Sequence, residues 1–243
     1  MILTLNSLIG LGFSALVSLF VSIYLISRYL KSKEGNLGYF AGFITLRFVM
    51  FFFFALAGLV YLVWNDFKVQ AVLGVIAWLA VFISVIFPAV LFCHLKWPKI
   101  KNVYAGILAI LGLLAIGTMI TKFSPAFPSP YPGPSTAFVV LPNIVLGSLS
   151  FEFVKIYMFC KIFGVLPLAL LLLIQATRGE KWLRARSLLL GLGLLWVVST
   201  LIVPDLITKE FFGGIYSPWS GIYCCGGDIL ILLGILKKAP QKV

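Results

Sequence analysis

The sequence predicts an all-α, polytopic integral membrane bundle of about seven transmembrane helices, with the N-terminus outside and the C-terminus in the cytoplasm. Three observations carry this reading. The 243 residues are 62% hydrophobic and 11% charged, with a mean hydropathy of +1.12, too little polar surface to cover a water-soluble globule. Apolar runs of about 18 to 26 residues recur between short polar breaks, the length a helix needs to cross a hydrocarbon core. Basic residues gather in alternate breaks, the pattern that sets orientation in a bilayer.

The runs lie near residues 3–26, 39–64, 71–95, 103–121, 156–177, 187–207 and 220–236. Each is expected to be helical, because lipid offers no partner to a free backbone N–H or C=O and no barrel-type alternation runs through them. The first, Leu3 to Ile26, is longer than a signal-peptide core and no small-residue cleavage pattern follows it, so it reads as a retained helix. On it Ser7, Ser14, Ser18 and Ser22 share one face. Small residues there let helices approach closely, a packing signal rather than a site. Gly191 and Gly193 in the sixth run are read the same way, not as a nucleotide loop. No internal repeat relates the first three runs to the last three, which argues against a transporter of duplicated halves.

Orientation follows from the 19 Lys and Arg. One set of breaks holds Arg28, Lys31, Lys33, Lys96, Lys99, Lys101, Arg178, Lys181, Arg184, Arg186, Lys237, Lys238 and Lys242, thirteen in all. The opposite set holds five, Lys68, Lys122, Lys155, Lys161 and Lys209, and Arg47 falls inside a run. The richer set is expected to be cytoplasmic. Trp64 and Trp219 then mark the outer interface, and Tyr39, Trp97 and Trp182 the inner one. The net charge of +12 is thereby explained by topology, and no nucleic-acid partner is expected.

The chain reads as a single transmembrane domain over 1–243, with a Pro-rich external loop and interfacial segment at about 122–155. Five prolines between Pro125 and Pro134 exclude a helix. The apolar stretch from Ala137 to Ser150 is broken by Pro142 and is too short to span, so it is expected at the interface, re-entrant, or as a cap over the outer mouth.

Buried charges are the candidates for function, since ionisable residues within a bilayer normally face the bundle or a water-filled cavity. Arg47 and Asp228 lie at matching depths, about 12 to 13 Å from the inner ends of the second and seventh runs at 1.5 Å per residue. They are expected to form an ion pair, with Thr45 and residues 224–227 nearby. Lys161 and Asp205 both fall near the outer boundary and form the second candidate pair. Either pair would serve as a fixed interhelical contact or as the lining of a polar cavity.

No catalytic chemistry is expected. His94 is the only histidine, and the four cysteines show no C-x-x-C spacing, so no metal or cofactor site is expected. HExxH, GxSxG and Walker A motifs are absent from the sequence. The last run contains no lysine, which excludes a rhodopsin-type Schiff base, and the Pro-Gln pair of the seven-helix sugar transporters occurs only in the tail, at Pro240-Gln241. A disulfide from Cys160 to Cys224 or Cys225 stays open.

The basic turn leading into an aromatic-rich second run (Arg28 to Phe40), the Phe87-Pro88 and Phe92-Cys93-His94-Leu95 end of the third, and Arg184-Ala-Arg186 before the sixth carry a resemblance. In these features the chain resembles the seven-helix membrane sensor region of bacterial histidine kinases. The resemblance implies a sensing bundle. Five residues follow Lys238, so no kinase domain is expected and a signal would pass to a separate protein. The expected function is therefore a non-catalytic receptor or sensor, partnered by membrane lipid and another membrane or cytoplasmic protein. The alternatives are a subunit of a larger membrane complex, docking through Phe51 to Phe54, and a small-solute transporter.

Overall fold

Several helices begin or end beyond their apolar stretch, in the polar residues that flank it. The computed structural model describes residues 2–64, 67–121, 136–138, 149–178, 180–200, 215–216 and 218–237. Its helices are α1 (Leu5–Ser32), α2 (Gly35–Trp64), α3 (Phe67–Lys96), α4 (Lys101–Thr121), α5 (Leu149–Arg178), α6 (Lys181–Ser199) and α7 (Pro218–Leu236). The extensions take in residues such as Arg28, Lys31, Glu152 and Arg184, good helix formers that end an apolar run without ending a helix. Six helices, α1 to α6, are long and apolar enough to cross a membrane by length and composition, and the described apolar part of α7, Ile222–Leu236, is shorter.

The helices stop for local reasons. Lys33 takes a left-handed conformation (φ 56°) and its N–H returns to Tyr29 O at 2.7 Å, closing α1 with a side chain where glycine is usual. At the end of α3, Trp97 N–H bonds to Cys93 O at 2.7 Å, and Pro98 opens a short 3₁₀ turn, Pro98–Ile100, before α4. Inside α5, Pro167 lacks the N–H that would bond to Phe163 O. Tyr104 of α4 supplies the missing donor, its hydroxyl 2.7 Å from that carbonyl.

One expectation is corrected at the N-terminus. Ile2–Thr4 is a strand (β1), not the start of a helix; it pairs antiparallel with β2 (Thr136–Phe138) and parallel with β3 (Ile215–Tyr216). The fold is thus a helical bundle carrying a small three-stranded sheet at one end; of the stretch from Ala137 to Ser150, Ala137 and Phe138 lie in β2 and Leu149 and Ser150 open α5. The Pro-rich residues 124–134, and 139–148 after them, lie outside the described residues, as do 201–207, the expected end of the sixth run.

Packing order places the functional side chains. Going round the bundle, α1 contacts α2, α2 contacts α3, α3 contacts α5, α5 contacts α6, α6 contacts α7 and α7 returns to α1, while α4 lies against α3 and α5. The interior carries Leu25, Phe43, Ile44, Leu168, Leu194 and Ile231, all fully buried. Trp78 joins three helices by edge-on contacts to Phe54 (5.5 Å) and Tyr157 (5.0 Å). Where α6 crosses α7 the backbones nearly touch: a Cβ on Gly227 would stand 2.8 Å from Gly193 O, and one on Gly193 would stand 2.9 Å from Gly227 O.

Candidate functional site

The centre of the ring is polar. Arg47 of α2 and Asp228 of α7 are 3% and 0% exposed, and Arg47 Nε lies 2.5 Å from Asp228 Oδ1. Asp228 and Cys224 stand one helical turn apart on the same face of α7, so the guanidinium also reaches the Cys224 carbonyl, Nη2 donating at 2.6 Å. The second carboxylate oxygen accepts from Ser18 of α1 at 2.6 Å. One helical turn on, Ser22 and Thr45 are hydrogen-bonded at 2.6 Å; Thr45 donates onward to Ala41 O, so the Ser22 hydroxyl is the donor between them. Phe43 and Phe51, one turn before and after Arg47, present their rings to the guanidinium at 5.8 and 5.2 Å.

Lys161 of α5 is the other buried cation among the described residues, 5% exposed. The sequence reading put it near a helix end. Because α5 begins at Leu149, Lys161 is about 18 Å along the helix at 1.5 Å per residue. Its ammonium donates to Val197 O (3.2 Å) and Thr200 Oγ1 (2.8 Å) at the C-terminal end of α6, and sits 5.1 Å from the Tyr157 ring centre. A cation there meets the negative end of the α6 dipole, at a carbonyl that also accepts from the Thr200 hydroxyl at 2.7 Å. Asp205, the partner expected for Lys161, lies outside the described residues.

Several of these roles were missed in the sequence. Ser18 was read as packing, yet it completes the carboxylate's hydrogen bonds; its signal was a hydroxyl at mid-length of α1, the depth of Arg47. The α6 end at Ser199 had no signal in the apolar pattern. Gln70, near the start of α3, is 1% exposed, and neither amide atom has a hydrogen-bond partner among the described residues. All four cysteines are buried free thiols, which settles the disulfide question. His94 is exposed at the end of α3 with its ring 6.3 Å from that of Tyr39.

Phe51 to Phe54 do not make one face. Successive helical residues point about 100° apart, so Phe51 turns inward to Arg47, Phe54 packs on Trp78, and Phe52 is exposed. Among the described residues no group of three or more His, Cys, Asp or Glu side chains could hold a metal ion. The chain matches no family model, no curated protein and no solved structure.

Proposed function

We propose that the chain is a multi-pass membrane protein of receptor or sensor type, N-terminus outside and C-terminus cytoplasmic, and that it responds to an external ligand or membrane state through the Arg47–Asp228 centre. Burial of that ion pair inside a ring of apolar helices is the observation that supports this most. An ionisable group at bilayer depth is unfavourable by about 2.5 to 3.5 kcal/mol on insertion scales, and such groups mark binding and switching sites. The pair joins α2 to α7 directly and α1 through Ser18, so breaking it would free three helices at once. The basic ends of α1, α3 and α5 fall on the side assigned to the cytoplasm, where they suit a partner protein or anionic lipid.

A small-solute transporter is the second reading, favoured by the position of the centre near the middle of α1, α2 and α7, where transporter sites sit. Purification in nanodiscs, with mass spectrometry of everything retained, tests both. The receptor reading expects a lone chain with a small molecule bound. Stoichiometric protein partners would replace it with a complex subunit, and solute flux in proteoliposomes would replace it with a transporter.

A further inference from the structure

Positive charge is concentrated at one end of the bundle. The α1–α2, α3–α4 and α5–α6 turns and the end of α7 come together there. Arg28 Nη1 of α1 donates to Ile235 O of α7 at 2.8 Å, the Tyr39 and His94 rings bring the start of α2 to the end of α3, and the Ser187 hydroxyl of α6 donates to Gln175 Oε1 of α5 at 3.3 Å. Among the described residues this end holds eleven Lys and Arg, three at each of the first two turns, four at the third and Lys237, against two carboxylates, Glu34 and Glu180. In the sequence the five cations of the opposite breaks stand against four carboxylates, Asp66, Glu152, Asp205 and Glu210. Lys31, Lys33, Lys96, Lys99 and Lys237 are exposed, and none of them makes an ion pair among the described residues.

Two features decide what meets these cations. They alternate with exposed apolar side chains: Leu30 precedes Lys31, Leu95, Trp97 and Ile100 interleave with Lys96, Lys99 and Lys101, and Leu236 precedes Lys237. An acidic protein or a nucleic acid on this surface would leave those apolar groups without apolar partners. A phospholipid offers phosphate to the cation and acyl chain to its neighbour. The connections are also short, residues 33–34, 97–100 and 179–180, so the cations stay at the level of the helix ends.

We infer that this end of the bundle binds the headgroups of anionic phospholipids in the surrounding leaflet, with the α3–α4 turn as its strongest point. There Trp97, its ring edge-on to Phe92 at 5.4 Å, stands between Lys96 and Lys99, an aromatic anchor at headgroup level. The inference rests on the multi-pass reading and deepens it, giving the cytoplasmic cations lipid as their partner in place of protein.

The test uses the full chain in phosphatidylcholine vesicles with a rising fraction of phosphatidylglycerol. Spin-labelled chains of each lipid report by electron spin resonance how much of it is immobilised beside the protein. Phosphatidylglycerol is expected to be enriched about fivefold at low salt, the effect of one basic residue near the surface, and the enrichment to vanish in about 1 M salt, where charges are screened beyond about 3 Å. The triple variant Lys96→Gln, Lys99→Gln, Lys101→Gln is expected to lower the enrichment at least about twofold, and Lys68→Gln at the opposite end to leave it unchanged. If the triple variant does not fold, the salt dependence of the unaltered chain decides.

Equal association of the two lipids with the unaltered chain would overturn the inference, as would an enrichment indifferent to salt or lowered equally by Lys68→Gln and the triple variant. An acidic protein retained at one copy per chain, released by the triple variant and accompanied by no lipid preference, would overturn it by assigning the cations to that protein. Resistance to alkaline carbonate extraction is scored on the same vesicles. An extracted chain defeats the multi-pass reading and the inference with it, whereas a retained chain without lipid preference counts against the headgroup surface alone.

Discussion

Arg47 and Asp228 are 181 residues apart in the chain and 2.5 Å apart in the fold. Neither charge has access to solvent, so each depends on the other. Removing one partner, as in Arg47→Met or Asp228→Leu, leaves an uncompensated buried charge and is expected to destabilise by about 3 to 5 kcal/mol. The double variant removes both charges and is expected to recover most of that loss. Unfolding of all four proteins in one detergent gives the coupling energy directly. A double variant as unstable as the sum of the singles would show that the pair does not hold α2 to α7.

Ser18 and Ser22 lie one turn apart on α1 but serve different partners. Ser18 donates to a carboxylate and Ser22 to a neutral hydroxyl. Ser18→Ala is expected to lose about 1.5 to 3 kcal/mol and Ser22→Ala about 1 kcal/mol, since hydrogen bonds to charged groups are the stronger. Equal losses from the two substitutions would contradict the role given to Ser18.

How far the sequence revealed this arrangement depends on what each feature needed. Seven apolar runs announced seven helices because lipid-length hydrophobicity is a property of single segments. The Arg47–Asp228 contact was legible because two rare charges at one depth have few other solutions. Ser18 was not, because a hydroxyl on a helix face reads equally as spacing or as a ligand until its neighbour is known. The true starts of α5 and α6 were hidden by Glu152, Lys155, Arg184 and Arg186, which interrupt hydropathy without interrupting a helix. The β1 strand depends on partners more than 130 residues away, and no local pattern carries that.

Pro167 and Tyr104 make a second long-range pair. The proline leaves Phe163 O without its helical donor, and the Tyr104 hydroxyl replaces it at 2.7 Å. Tyr104→Phe removes that donor and is expected to destabilise by about 0.5 to 1.5 kcal/mol, the usual net contribution of one hydrogen bond, here at an exposed carbonyl. Pro167→Ala restores the backbone N–H, so in that background Tyr104→Phe should be close to neutral. Unfolding of the two single variants and the double decides it; a Tyr104→Phe loss that persists in Pro167→Ala would refute the compensation.

Gln70 presents the reverse case, a buried amide with no hydrogen-bond partner among the described residues. Replacing an unsatisfied polar group by an apolar one of similar shape is close to neutral or stabilising. Gln70→Leu is therefore expected to keep or raise the thermal midpoint, measured beside Leu168→Ala, a core truncation expected to lose about 2 to 5 kcal/mol. A marked loss from Gln70→Leu would reveal a partner for the amide.

The glycine contact between α6 and α7 gives the last prediction. At Gly227 a Cβ would meet Gly193 O at 2.8 Å, while at Gly12 of α1 it would meet nothing within 4 Å. The same substitution should therefore have opposite signs at the two sites. Gly227→Ala pushes α6 and α7 apart and is expected to destabilise by about 1 to 3 kcal/mol, the usual range for overpacking. It also shifts Asp228, the next residue, away from Arg47, so the loss should shrink when Arg47 and Asp228 are already Met and Leu. Gly12→Ala has room for its methyl group and is expected to stabilise the helix by about 0.5 to 1 kcal/mol. Thermal unfolding of the unaltered chain, the two glycine variants, the Arg47→Met and Asp228→Leu double variant and that double variant carrying Gly227→Ala checks both signs and the coupling. A Gly227→Ala loss of equal size with and without the ion pair would mean that the glycine contact and the charged centre are independent supports of α7.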